Sequence, residues 1–234
     1  MTAARARLWA VLAAAGAGVR FGGELPKQYH QILGRPVIHW SLAPLLARGD
    51  IAGVVVLIAN RDEHWSGCRP ADPRVRTVEG GSTRAASVIN GLAALAGEAA
   101  DDDWIIVHDA ARPCLAEADL DHLIRRLGDE PVGGLLALPV ADTLKREAGG
   151  RVADTVDRQR LWRALTPQMF RYGALRAALT ATPDVTDESA ALERAGQRPV
   201  LVPGRGDNLK AVSYTHLTLP TTCNLCRSRW SPYH

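Results

Sequence analysis

The apolar run Leu8–Ala14 (LWAVLAA) passes directly into a loop of small residues and glycines, Ala15–Gln28. A short buried strand feeding such a loop predicts an open α/β sheet, and the rest of the chain repeats the rhythm. Pro36 is expected in the first turn of a helix over Val37–Ala47. Strands are expected at Gly53–Ala59 (GVVVLIA), Val75–Val78 and Trp104–Val107, with helices at Ser82–Leu95, N-capped by Ser82, and at Glu117–Leu127. Strands alternating with helices predict a mostly parallel sheet covered on both faces. The rhythm then breaks. Leu135–Val140, Thr143–Arg146 and Val152–Val156 carry β character around the turn Gly149–Gly150 with no crossover helix between them, which predicts a projecting hairpin arm over about 138–160. Helices around Gly173–Thr180 and Glu188–Arg194 and a strand at Pro199–Pro203 resume the pattern.

Bulk properties narrow the class. The 234 residues are 47% hydrophobic and 23% charged, an ordinary globular balance at a length that buries most of its apolar surface without disulfides or metal. The formal charge is +3, of which two units, Arg227 and Arg229, lie in a terminal stretch without acids, so neither a nucleic-acid nor a membrane surface is expected. Four scattered cysteines exclude a secreted disulfide scaffold. The opening residues resemble a signal peptide only superficially, since the apolar run from Leu8 to Ala15 is short and leads into the glycine loop. No stretch approaches the ~20 apolar residues of a membrane span. A soluble, cytoplasmic protein is expected.

Three corners carry chemistry. The loop after the first strand, AAAGAGVRFG closed by Pro26-Lys27-Gln28, combines glycines that free backbone N–H groups for phosphate oxygens with the fixed charges of Arg20 and Lys27. It is neither a P-loop nor a good dinucleotide fingerprint, and its glycines alone would indicate only a tight turn. The corner Gly80-Gly81-Ser82-Thr83-Arg84 stands at a helix N-terminus, a weak signal by itself, since many helices begin this way. The third, His108-Asp109-Ala110-Ala111-Arg112-Pro113, follows a hydrophobic strand, where a carboxylate can hold a hard cation and an arginine can clamp a phosphate. A capping Asp and a surface Arg would look the same in isolation. His108 is read as a hydrogen-bonding residue rather than a base.

The order of the motifs is more specific than any one of them. AAAGxGxRF…PKQY, GGSTRAASV, VHDAARP, PVADTLK, TVDRxxLWRALTPQ, TDES and GRGDNLK together resemble the 2-C-methyl-D-erythritol 4-phosphate cytidylyltransferase family over roughly residues 8–211. The resemblance implies a Rossmann-like nucleotidyltransferase with a mostly parallel sheet and a β-arm. It implies transfer of CMP from CTP to methylerythritol phosphate, Mg²⁺ as cofactor, and a homodimer whose arms complete the partner's site. Arg20, Lys27 and Lys210 then match catalytic positions. Ala14, Ala15, Gly16, Gly18, Gly81, Ser82 and Ser87 match positions around the nucleotide, with Ser82 standing where Asp is common. Asp109 matches the metal ligand, and Asp109, Arg112, Thr143, Arg158, Thr166 and Lys210 match substrate positions, Thr143 and Arg158 from the arm of the other subunit.

Two other enzyme or binding readings compete. A relative acting on ribitol 5-phosphate would share the nucleotide half of the site, and a non-catalytic nucleotide sensor would be expected to lack Arg20, Lys27 or Asp109, all present here. From Val212 onward the sequence VSYTHLTLPTTCNLCRSRWSPYH has no helical or strand period and lacks the family's Thr-x-x-Asp-Leu segment. The expectation is a domain over 1–211 followed by an atypical tail, 212–234, foreign to the fold. Its Cys223-x-x-Cys226 pair has no second pair at zinc-site spacing.

Overall fold

The computed structural model describes residues 6–16 and 25–212. Gly18, Arg20 and the tail from 213 onward, with Cys223 and Cys226, lie outside the described residues.

In chain order the elements are β1 (Leu8–Ala13), β2 (Gln31–Ile32), β3 (Arg35–Pro36), α1 (Val37–Leu46), β4 (Ile51–Ile58), β5 (Val75–Glu79), α2 (Arg84–Ala93) and β6 (Trp104–Asp109). They continue with α3 (Glu117–Leu127), β7 (Gly133–Pro139), β8 (Leu144–Ala148), β9 (Arg151–Val156), β10 (Trp162–Arg171), α4 (Tyr172–Ala181), α5 (Glu188–Arg194) and β11 (Val200–Pro203). Among the described residues, seven strands form one sheet in the order β11-β7-β10-β6-β1-β4-β5. Only β10 runs against its neighbours; β1, β4, β5 and β6 pair in parallel, as do β7 and β11.

The central strands β1, β4 and β6 are mostly apolar because helices cover both faces, and their side chains alternate between the two layers. Leu8, Ala10 and Leu12 of β1 join Ile106 of β6, Leu42 of α1 and Leu123 of α3 on one side. Trp9 and Val11 join Val107, Val88 of α2 and Leu175 of α4 on the other. Changing the register of β1 by one residue would exchange these two sets.

Several expectations need correction. Pro36 ends β3 and stands just before α1 with extended backbone, so it is not in the first helical turn. Thr83, not Ser82, caps α2, its hydroxyl accepting from the Ala86 N–H at 3.0 Å. The stretch Leu135–Pro139 belongs to the main sheet as β7. The arm is the separate two-stranded sheet of β8 and β9, turned at Gly149 and Gly150, whose φ values of 59° and 76° favour glycine. Its base is closed by the Val140 N–H on the Leu161 carbonyl at 2.9 Å, and its strands are almost wholly exposed.

Strand β10 was not expected, because Pro167 inside a run argues against a central strand. The chain accommodates it with a shift in the β7 register between Ala164 and Gln168, where the missing N–H interrupts no regular pairing.

Candidate functional site

The crossover after β1 leads to β4 on one side, while the crossover after its other neighbour, β6, leads away to β7 on the opposite side. Such a reversal opens a crevice beyond the C-terminal strand ends. Here Ala13 is in register with Asp109, and the Ala110 N–H meets the Ala13 carbonyl at 3.1 Å. The resulting cavity of about 350 Å³ is walled by residues 13–16, Lys27, Gln28, residues 81–84, Ser87, Asp109–Ala111 and Lys210. Three corners far apart in sequence thus converge, bringing together Ala14, Ala15, Gly16, Lys27, Gly81, Ser82, Ser87, Asp109 and Lys210.

Small residues make this convergence possible. A Cβ on Gly80 would lie 2.3 Å from the Ala15 Cβ, and one on Gly81 would lie 2.6 Å from the Ala86 Cβ. Ser87 fastens the corner to α2: its Oγ accepts from the Gly81 N–H at 3.0 Å and donates to the Thr83 carbonyl at 2.8 Å. Gln28, which sequence reasoning quoted only as part of a motif, is buried and donates to the Ala14 carbonyl at 2.8 Å, locking the start of the loop to its end.

Asp109 is the electrostatic centre. Its Oδ1 accepts from Arg84 Nε at 3.2 Å and Nη2 at 3.1 Å, while Lys210 Nζ lies 2.7 Å from Oδ2 and Arg112 Nε 3.8 Å from it. Burial would raise this carboxyl's pKa, but Arg84, Lys210 and Arg112 outweigh burial and hold it well below the ordinary carboxylate range. The third Arg84 nitrogen, Nη1, pairs with Glu188, fully buried at the start of α5. Arg84 and Glu188 were not singled out from sequence. Each lay inside a motif (GGSTRAASV and TDES), but only the fold shows them meeting.

Lys210 and Arg112 also line a second cavity of about 300 Å³ with Arg163, Ala164, Leu165, Gly206, Asn208 and Leu209. Asn208 is buried and links Thr166 to Arg112: its side chain donates to the Thr166 carbonyl at 2.8 Å, and its own carbonyl accepts from Arg112 Nη1 at 2.8 Å. Thr166 lines neither cavity. Its Oγ1 accepts from the Asp109 N–H at 3.2 Å and lies 2.9 Å from His108 Nδ1, so it sets the strand end that carries Asp109. Thr143 and Arg158 stand on the exposed arm, away from both cavities of their own chain, and Arg158 donates to the Ala141 carbonyl.

His108 is fully buried, with Nε2 3.2 Å from the Arg112 carbonyl. If Nδ1 accepts from Thr166, Nε2 carries the proton, which is the neutral ring. Burial lowers its pKa from 6.5 to about 4, with Asp109 and the Arg112 carbonyl pulling the other way. The unfolded chain therefore protonates this ring near pH 6.5 and the folded chain only near pH 4. Between those values the unfolded state binds more protons, so stability falls as pH drops through this window, by about 3 kcal/mol in all. Melting curves across the window should show the fall, and His108→Gln should flatten it. An unchanged slope in that variant would assign the dependence to another group.

An open, mostly parallel sheet whose switch point gathers a small-residue corner, a buried carboxylate and several cations defines a nucleotide-binding α/β protein built for transfer at phosphorus. The chain belongs to the 2-C-methyl-D-erythritol 4-phosphate cytidylyltransferase (IspD) family, whose sequence profile matches residues 8–222, a span that passes beyond Ala211. It is 50% identical over 230 residues to the enzyme of that name from Pseudomonas putida strain W619, covering 95% of each chain. A solved 4-diphosphocytidyl-2C-methyl-D-erythritol synthase superposes with a TM-score of 0.83 at 39% identity, over 93% of this chain and 98% of the other. The Francisella tularensis cytidylyltransferase gives a TM-score of 0.79 at 28% identity, over 93% and 99%. Among the described residues no helix is long and apolar enough to cross a membrane.

Proposed function

We infer that this chain transfers CMP from CTP to 2-C-methyl-D-erythritol 4-phosphate, giving CDP-methylerythritol and pyrophosphate in the non-mevalonate route to isoprenoid precursors. The observation that carries this reading is the pair of cavities meeting at Lys210. One is walled by the small-residue corners, the other by Arg112, and Asp109 stands at their junction. Two phosphate-bearing substrates, one in each cavity, can then meet beside Lys210.

A phosphate oxygen of the second substrate attacks the α-phosphorus of CTP, a new O–P bond forms, and the bond to the β-phosphate breaks with its electron pair leaving on pyrophosphate. The protein forms no covalent bond; it aligns the groups and stabilises the charge. In this reading Ala14, Ala15, Gly81, Ser82 and Ser87 enclose the base, and Gly16 and Gly18 present backbone N–H groups to phosphate. Arg20 and Lys27 meet the charge growing at the phosphorus. Arg112 and Lys210 hold the incoming phosphate, and Thr166 acts through the strand end beneath it.

The donor set suits Mg²⁺. Among the described residues no cluster of three or more His, Cys, Asp or Glu side chains could enclose a metal, whereas the single carboxylate of Asp109 borders the cavity. Mg²⁺ commonly takes one or two carboxylates and completes its shell from phosphates and water. When bound, it would neutralise triphosphate charge; Asp109 would hold it, with Lys210 moving off Oδ2.

Purified protein supplied with CTP and Mg²⁺ should release pyrophosphate with methylerythritol phosphate and not with ribitol or glycerol phosphate. A preference for ribitol 5-phosphate would replace the proposed acceptor, and release with none of the three would remove the assignment.

The same reading makes the active unit a homodimer. The exposed β8–β9 arm has little core of its own, and isolated hairpins are marginal unless packed on something. Thr143 and Arg158 would then serve the partner's cavity. Heterodimers of Arg158→Ala and Lys27→Ala chains should recover activity that neither homodimer has, because one of their two sites is intact. Verified heterodimers without recovery would place Arg158 in its own chain's chemistry.

A further inference from the structure

The mechanism leaves unused a fully buried carboxylate, Glu188, whose Oε1 pairs with Arg84 and whose Oε2 has no hydrogen-bond partner. Such a group is costly to bury, and its placement is elaborately fixed. Asp187 caps α5 by accepting from the Ala190 N–H at 3.0 Å. Gln168 of β10 donates to Asp187 Oδ2 at 2.9 Å and accepts from the Ser189 N–H at 2.9 Å. Glu188 is thereby held between two residues tied to the sheet strand next to β6. This ties the Thr186-Asp187-Glu188-Ser189 segment, which otherwise has no role in the site, to Gln168, two residues beyond Thr166.

The geometry of Arg84 shows what this achieves. The Nε–Nη2 edge of a guanidinium ordinarily spans both oxygens of a carboxylate. Here both nitrogens converge on Asp109 Oδ1, at 3.2 and 3.1 Å, while Nη1 is drawn to Glu188. Asp109 Oδ2 is left to Lys210, 2.7 Å away on the cavity side. An Arg84 fork closed on both oxygens would occupy the carboxylate entirely.

We propose that Glu188 is a positioning residue for nucleotide transfer: by holding one arm of Arg84 it keeps Asp109 Oδ2 open to Lys210 and to the cation that arrives with CTP. The proposal rests on the reading of Asp109 as that cation's ligand. Outer-shell partners of metal ligands typically govern affinity by about 10–100-fold.

The test uses Glu188→Gln, which preserves shape and removes the charge. In crystals grown without nucleotide or metal, Arg84 should span both Asp109 oxygens and Lys210 Nζ should have left Oδ2. By calorimetry, the gain in CTP affinity on adding Mg²⁺ should shrink about tenfold relative to wild type, with CTP binding in EDTA little changed. A purely structural role would lower the melting temperature and leave that gain intact. Arg84 remaining on Oδ1, with a gain within twofold of wild type, overturns the proposal.

Should Glu188→Gln not fold, the double variant Glu188→Met/Arg84→Met replaces the buried pair by apolar side chains, an exchange that folds tolerate well. With no fork to compete for Asp109, it should keep the Mg²⁺-dependent gain, and its loss would equally overturn the proposal. If wild-type protein itself bound CTP no better with Mg²⁺, the reading of Asp109 would fail instead. The position of Arg84 in the Glu188→Gln crystal would still decide whether Glu188 sets the fork.

Discussion

Lys27→Ala is expected to lower kcat by about 10²–10³-fold while leaving the fold intact, because removing one preorganised donor at a developing anion typically costs about 3–4 kcal/mol of barrier. Lys27 begins a short 3-10 turn over Lys27–Tyr29 and lines the nucleotide cavity. The turn is anchored independently of the lysine, by buried Gln28 on the Ala14 carbonyl and by Tyr29, whose hydroxyl donates to Asp62 at 2.6 Å. Truncating the lysine therefore removes charge without releasing the loop. The melting temperature should hold, KM for CTP should change less than kcat, and Lys27→Arg should recover part of the rate. Arg20→Ala carries the same expectation from sequence. Near-wild-type turnover in Lys27→Ala would take phosphoryl stabilisation away from this residue.

The contrast between Lys27 and Glu188 shows what was legible before the fold was known. Lys27 sits in a glycine-rich loop that follows a buried strand, so residue type and setting together point to an anion. Strands β1, β4 and β6 were equally plain, because sheets covered on both faces require continuous apolar runs. Asp109 could be placed at a strand end by its position after Trp104–Val107. Glu188, by contrast, looks like any acidic residue in the first turn of a helix, and Arg84 like a surface cation beside it in no obvious way. Their ion pair joins residues 104 positions apart in the chain, and only the topology brings α2 and α5 to the same strand end. Strand β10 was obscured for a related reason: Pro167 speaks against a central strand unless the neighbouring ladder shifts register to receive it. Local chemistry was readable where it stood next to its own strand, and unreadable where tertiary pairing created it.

Asp109→Asn is expected to abolish measurable transfer and to destabilise the protein together. The amide matches the carboxylate in shape but removes the negative charge that, among the described residues, Arg84, Arg112 and Lys210 share. The three cations are affected unequally. Lys210 is 40% exposed and can turn into solvent, and Arg84 retains Glu188. Arg112 is buried, its Nε has no hydrogen-bond partner, and Asp109 is the carboxylate beside it, so the cost falls mainly there. Breaking a buried pair on one side typically costs about 3–5 kcal/mol, and the exposed Lys210 places the expectation near the lower bound. The pH dependence follows from the sign of the Asp109 shift. Its folded pKa lies below the unfolded value of 3.8, so the stabilisation is fully present above that value and is lost as pH falls through the folded pKa. The gap in stability between wild type and Asp109→Asn should therefore be constant from neutral pH down to about 4 and close only in stronger acid. Transfer should fail at every Mg²⁺ concentration, since the substituted amide offers a neutral oxygen where the cation needs an anionic one. Turnover within tenfold of wild type, or a stability gap that closes already near pH 6, would remove Asp109 from the centre of the site.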